Sequence, residues 1–165
     1  MKREIDRAVQ QSLLDRLIDL EPGLGDARVG YRESVRQLKL TVQRDLDWLL
    51  NTRRAPIEVP DGLAELERSL FTYGIPDITS MSKDAPDTRP QLLREVRQAI
   101  QLFEPRLTNV RVTLVEATDE TREKRELRFT VEATLRMDPT PEQVVFDTVL
   151  QVSSGEYQVR GASGA

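Results

Sequence analysis

The stretch "LLREVRQAIQLFEPRLTNVRVTL", Leu92 to Leu114, decides how this chain folds, because its apolar residues change period in the middle. In its first half Leu92, Val96, Ile100 and Phe103 step by three or four, as on a helix with one buried face. In its second half Val110, Val112 and Leu114 alternate with polar neighbours, as on a half-buried strand. "FEPRL", Phe103 to Leu107, lies at the change. The residue before a proline is pushed out of the helical region, so the helix is expected to end at Phe103 and Glu104 to be extended. Residues two apart in extended chain project the same way. That would turn Phe103, Pro105 and Leu107 to the core and set Glu104 and Arg106 side by side on the opposite face. Proline fixes its own φ, so the pair is partly preorganised. Arginine brings a planar donor fork and glutamate an acceptor pair, which suits a complementary charged surface. The plainer alternative is a solvated pair worth at most about 1 kcal/mol.

Upstream of this stretch the pattern is helical. Leu13, Leu14, Leu17, Ile18 and Leu20 predict a short helix over Ser12 to Leu20, ended by "EPGLGD". Tyr31 to Asn51 carries the clearest stripe, Val35, Leu38, Val42, Leu46 and Leu49. Leu40 and Trp48 fall off that stripe, so Trp48 is read either as a subunit anchor or as part of a second core layer. "NTRRAPIEVPDG" breaks the pattern, and a brief helix from Leu63 to Leu70 is expected before Gly74 and Pro76 stop it. Residues 78 to 89 read as a surface loop, followed by the helix from about Pro90 to Phe103.

Downstream the pattern is that of strands. Leu127 to Met137, then Phe146 to Val152, then Tyr157 and Val159 alternate, separated by "TDETREKR", "DPTPEQ" and "SSGE". "TDETREKR" is expected to be a charged hairpin loop. Helices first and strands afterwards predict an α+β domain: an antiparallel meander in the C-terminal half, packed on one face by helices from the N-terminal half. The length of 165 residues suits one domain, with flexible ends at 1–11 and 161–165.

Composition narrows the chemistry. Apolar residues are 38% and charged residues 32%, and the net charge of -4 argues against a broad electrostatic hold on nucleic acid. Cysteine and histidine are both absent. Thiolate chemistry, His-based nucleophile arrangements and the usual transition-metal ligands are thereby removed, so no cofactor or metal is expected. No signal-peptide core and no run of about 20 apolar residues is present, and the expectation is a cytoplasmic protein without membrane insertion. The arginines of "NTRR" are read as capping a helix dipole rather than binding phosphate.

The order "SLLDRL", "ESVRQLKLTVQRDLDWLLNTRR", "SLFTYGIPD", "FEPRL", "LRFTVEATL" and "FDTVLQVSSGEYQV" resembles the TssE family, small baseplate subunits of type VI secretion, over about residues 12 to 160. The family is related to a wedge protein of contractile phage tails. Its Glu-Pro-Arg signature falls on Glu104, Pro105 and Arg106. The resemblance implies a cytoplasmic assembly protein in a baseplate docked at the inner membrane. Its implied partners are the wedge subunits TssF, TssG and TssK and the sheath proteins TssB and TssC, with the triplet contacting the wedge core. It also implies that a sheet edge templates the first sheath strands, a contact that main-chain hydrogen bonds can supply. The last strand, with Tyr157 and Val159 between charges, has the look of a managed edge and is read as that contact.

Two alternatives remain at this level. A glycosidase needs two carboxylates and no histidine, and Glu104 with Asp77 or Asp147 would supply them. Against it, Arg106 on the same side favours the charged form of Glu104 and weakens it as an acid, and one tryptophan does not make a sugar cleft. A regulatory adaptor on the same small fold is the other alternative.

Overall fold

The computed structural model describes residues 8–18, 30–77, 88–116 and 118–161. Residues 1–7, 19–29, 78–87, 117 and 162–165 lie outside the described residues, and with them positions 19 and 20 of the first expected helix and most of the expected loop at 78 to 89. Five helices are described: α1 (Leu13–Leu17), α2 (Tyr31–Asn51), α3 (Ala64–Glu67), α4 (Thr88–Phe103) and α5 (Asp119–Glu123). Four strands, β1 (Leu107–Leu114), β2 (Glu126–Leu135), β3 (Glu142–Gln151) and β4 (Glu156–Gly161), form one antiparallel sheet in the order β1-β2-β3-β4. The α+β meander expected from the sequence is the fold observed.

Alternation along the strands builds the core. Phe129, Val131, Ala133 and Leu135 of β2 and Val144, Phe146, Thr148 and Leu150 of β3 all point to the covered face. The register places Val131 opposite Phe146 and Ala133 opposite Val144, so large and small side chains oppose one another across the sheet. Two helices close this face: α4 lies along β1 and α2 along β4. The stripe read on α2 is buried as expected, with Val42 and Leu46 at 0% and 1% exposure.

The differences are local. α1 spans Leu13–Leu17, with Ser12 as its N-cap, and its leucines are exposed. The helix expected over Leu63 to Leu70 is a single turn, α3, followed by a 3-10 turn at Leu70–Thr72, and Leu63 and Leu70 are both exposed. Four residues of helix bury too little to hold a longer one. Gly74 has φ +104, and a Cβ there would stand 2.3 Å from the Thr52 carbonyl oxygen. Its glycine thus serves a close crossing of two chain segments, where Arg53 and Ile75 form an isolated bridge. "TDETREKR" contains α5 instead of an open loop, because Thr118 caps it through the Thr121 N–H. In β1 a bulge at Asn109, φ 54, separates Leu107 from Val110, and both become buried.

Candidate functional site

Phe103–Leu107 is a turn rather than an extended segment. The Glu104 N–H still bonds to the Ile100 carbonyl at 2.9 Å, and the Glu104 carbonyl accepts from the Leu107 N–H at 3.0 Å. Pro105 occupies the second turn position, where its fixed φ belongs. The side chains therefore do not alternate as expected. Pro105 is exposed, Phe103 half-buried, and Glu104 only 4% exposed.

Glu104 and Arg106 do meet, but beneath the surface. Arg106 Nε donates to Glu104 Oε1 at 2.6 Å and Nη2 to Oε2 at 2.5 Å, a two-pronged pair, and the Arg106 main-chain N–H adds 3.2 Å to Oε1. Nη2 also donates to Asp45 Oδ2 of α2 at 2.5 Å. Asp45 Oδ1 in turn accepts from Arg44 Nε and Nη2 at 3.0 and 2.7 Å, and Arg44 Nη2 reaches Asp15 Oδ1 of α1 at 2.8 Å. Ser12 Oγ bonds to Asp15 and completes the chain. One ionic network thus joins the hinge to α2 and α1. The guanidinium of Arg44 lies 4.7 Å from the centre of the Trp48 ring, so the network ends on that indole.

The electrostatics follow from burial. Three carboxylates, Glu104, Asp45 and Asp15, face two guanidiniums, leaving the network one negative charge in excess. Burial works against the charge of Arg106, but Glu104 and then Asp45 outweigh it and hold the guanidinium above its usual range. Burial likewise raises Asp15, and the hydrogen bonds from Ser12 and Arg44 reverse that, leaving the carboxyl below its usual range. Tyr73, edge to face with Phe103 at 5.1 Å, has its hydroxyl pushed up by burial and by Asp45 and Glu104. Arg106 Nη1 is shielded from solvent and has no hydrogen-bond partner among the described residues. It is the uncommitted donor of the fork.

Trp48 stands in no second core layer: it is 53% exposed, as is Leu40 one face-repeat away. Leu13 and Leu17 of α1 are also open to solvent, at 75% and 82% exposure. The sequence reading missed Asp45, Arg44 and Asp15. Arg44 was legible as the residue one turn before Trp48, whereas Asp45 is 61 positions from Arg106 and nothing local links them. The "NTRR" arginines do neither of the jobs considered. Arg53 pairs with Asp77 at 2.8 Å and also bonds to the Ser154 carbonyl, and Arg54 pairs with Glu95 at 2.6 Å.

The two sheet edges differ. The outward main-chain groups of β4 are bonded by α2: Asn51 Nδ2 donates to the Tyr157 carbonyl and Oδ1 accepts from its N–H, both at 2.9 Å. Gln43 Nε2 donates to the Val159 carbonyl at 2.9 Å, and Asp47 Oδ1 lies 3.4 Å from the Val159 N–H. Tyr157 and Val159 are themselves buried, at 3% and 7% exposure. The edge chosen from the sequence as a strand-pairing site is thus covered in the free chain, because α2 packs along it. On β1 the bond from the Val115 N–H to the Arg128 carbonyl sets the parity, so Val112 and Leu114 face outward. Among the described residues no side chain bonds to their outward groups.

The carboxylates considered for catalysis are placed differently. Glu104 is enclosed by Arg106. Asp77 is engaged by Arg53, and Asp147 accepts from Thr130 on the uncovered face of the sheet, the face away from the helices.

Compared with known proteins, residues 36–140 match the model of a family described as baseplate wedge protein gp25. No curated protein matches the chain.

Proposed function

Since the chain belongs to the baseplate wedge protein gp25 family and so has a structural role in a baseplate, we propose that it is the TssE-type subunit of a type VI secretion apparatus. In this reading it is an assembly protein, not an enzyme, and works in the cytoplasm on a baseplate docked at the inner membrane. The observation that carries it is the hinge. Glu104 spends its carboxylate on Arg106, so its part is to aim the guanidinium, with Asp45 as second support. Arg106, the stacked Arg44–Trp48 pair and the exposed leucines of α1 form the surface for the wedge subunits TssF, TssG and TssK. Aromatic and arginine side chains are the usual anchors of such contacts.

The sheath proteins TssB and TssC meet β1 in this reading, since its outward groups are the ones left without partners among the described residues. The test is copurification of wild type against Glu104→Gln with Arg106→Met, with circular dichroism confirming the fold. The double variant keeps the buried volume and should lose the wedge subunits. Equal recovery of TssF and TssG by both proteins would remove the hinge from the contact, and recovery of neither by wild type would remove the baseplate role itself.

A further inference from the structure

The side chains that cover β4 are spaced with a regularity that invites explanation. Gln43, Asp47 and Asn51 are successive positions four apart on α2, one turn each, and they meet the outward groups of Val159 and Tyr157. They stand where a neighbouring strand would put its own N–H and C=O groups. Gly161 sustains this arrangement at the end of the strand, since a Cβ there would lie 2.8 Å from Gln43 Oε1.

The sequence beneath them is self-complementary. β4 reads Glu156, Tyr157, Gln158, Val159, Arg160. If a second copy is laid antiparallel about Gln158, each Glu156 faces Arg160 of the other chain and each Tyr157 faces Val159. The same register makes Tyr157 and Val159 the hydrogen-bonded pair, and these are the residues whose main-chain groups point outward. Opposite charges across strands stabilise such a pairing and like charges oppose it. Two-fold pairing of this kind also satisfies the symmetry of a closed dimer.

We propose that Gln43, Asp47 and Asn51 act as a surrogate strand that holds β4 closed against a second copy of this chain. An open groove of about 480 Å³ already runs along the ladder, lined by Leu40, Arg44 and Glu156 among others. Admitting a strand there requires α2 to give way by about 4.8 Å, one strand spacing, and the ladder opposes that movement together with the buried stripe Val42, Leu46 and Leu49. The inference does not depend on the baseplate reading, which uses β1.

The experiment is the association state of the full chain, by sedimentation velocity over a concentration series, for wild type and for Gln43→Ala with Asp47→Ala and Asn51→Ala. Circular dichroism checks the fold. The ladder variant should dimerise at concentrations where wild type does not. Adding Arg160→Glu should return it to monomer by placing like charges across the two-fold, and adding Glu156→Arg as well should restore the dimer. A folded ladder variant that associates no more than wild type overturns the proposal, and so does a dimer indifferent to Arg160→Glu. Should the triple variant fail to fold, Asn51→Ala alone strips both bonds from Tyr157 and is held to the same outcomes.

Discussion

The two edges of the sheet are stabilised by opposite means. β4 is sealed along its length by side chains of α2, whose amide and carboxylate groups stand in for a missing strand. β1 is left without such partners among the described residues and is instead held at one end, where the turn that starts it is locked by Arg106 between Glu104 and Asp45. An edge strand with unpaired main-chain groups is a hazard unless it has a use. Among the described residues that hazard is removed on one side only, and this asymmetry is what supports the proposed strand addition at β1. Charge follows the same division: the anchor of β1 is an ionic network, whereas among the described residues β4 is bound mainly by amide groups, with Asp47 as the charged contributor.

The largest effect should come from breaking the anchor of β1. Arg106→Ala leaves a 4% exposed carboxylate without its guanidinium, and the loss of one partner of a buried pair costs about 3–5 kcal/mol. The variant should therefore show a marked destabilisation in chemical denaturation. Glu104→Gln with Arg106→Met removes both charges and should recover most of that loss, giving a coupling energy of roughly 2–3 kcal/mol in a double-mutant cycle. Additive effects of the two single changes would show that the anchor is no more than two solvated charges.

A smaller and more pointed contrast compares the edges directly. Asn51→Ala takes two hydrogen bonds from the β4 edge and leaves the buried Tyr157 main chain unsatisfied, so it should cost about 1–3 kcal/mol. Val112→Pro deletes an outward N–H that bonds to nothing among the described residues, and proline is tolerated at such a position, so stability should fall by no more than about 1 kcal/mol. Sheath recruitment should respond in the reverse order, lost with Val112→Pro and kept with Asn51→Ala. A stability loss from Val112→Pro as large as that from Asn51→Ala would show that β1 is covered too.

What could be read from the sequence divides along the range of the interactions. Periodicity is a local signal, and it gave α2 to the residue, the β-strands, and the change of period at the hinge. It failed at α3, where propensity had no tertiary packing behind it, and at α5, where one threonine cap outweighed the polar composition. In the hinge the helix ends at Phe103, as a residue before proline demands, but that restriction does not distinguish an extended exit from a turn. The turn was decided by the Leu107 N–H reaching back to Glu104, and that turned Glu104 inward. Asp45 and the ladder of Gln43, Asp47 and Asn51 were invisible because their partners are 61 to 116 residues away. Their four-residue spacing on a helix reads only as a polar face until β4 is placed against it.

The finest test of the difference is amide exchange, residue by residue, on the wild-type chain. At both edges the inward amides are bonded within the sheet and serve as internal controls: Gln158 and Arg160 on β4, Thr113 on β1. The outward amides separate the edges. Tyr157 donates to Asn51 at 2.9 Å and should exchange roughly five- to tenfold more slowly than Val112 and Leu114, the factor that one net hydrogen bond of about 1 kcal/mol provides. Val159, whose contact with Asp47 is 3.4 Å, should fall between them, because a bond of that length is weak. The gradation matters more than any single rate: a ladder made of discrete side chains must protect unevenly, whereas a helix that merely shields the edge by bulk would slow Tyr157 and Val159 alike. Uniform protection along β4 would therefore assign the seal to packing and not to Gln43, Asp47 and Asn51, and slow exchange at Val112 would mean that β1 is not the open side.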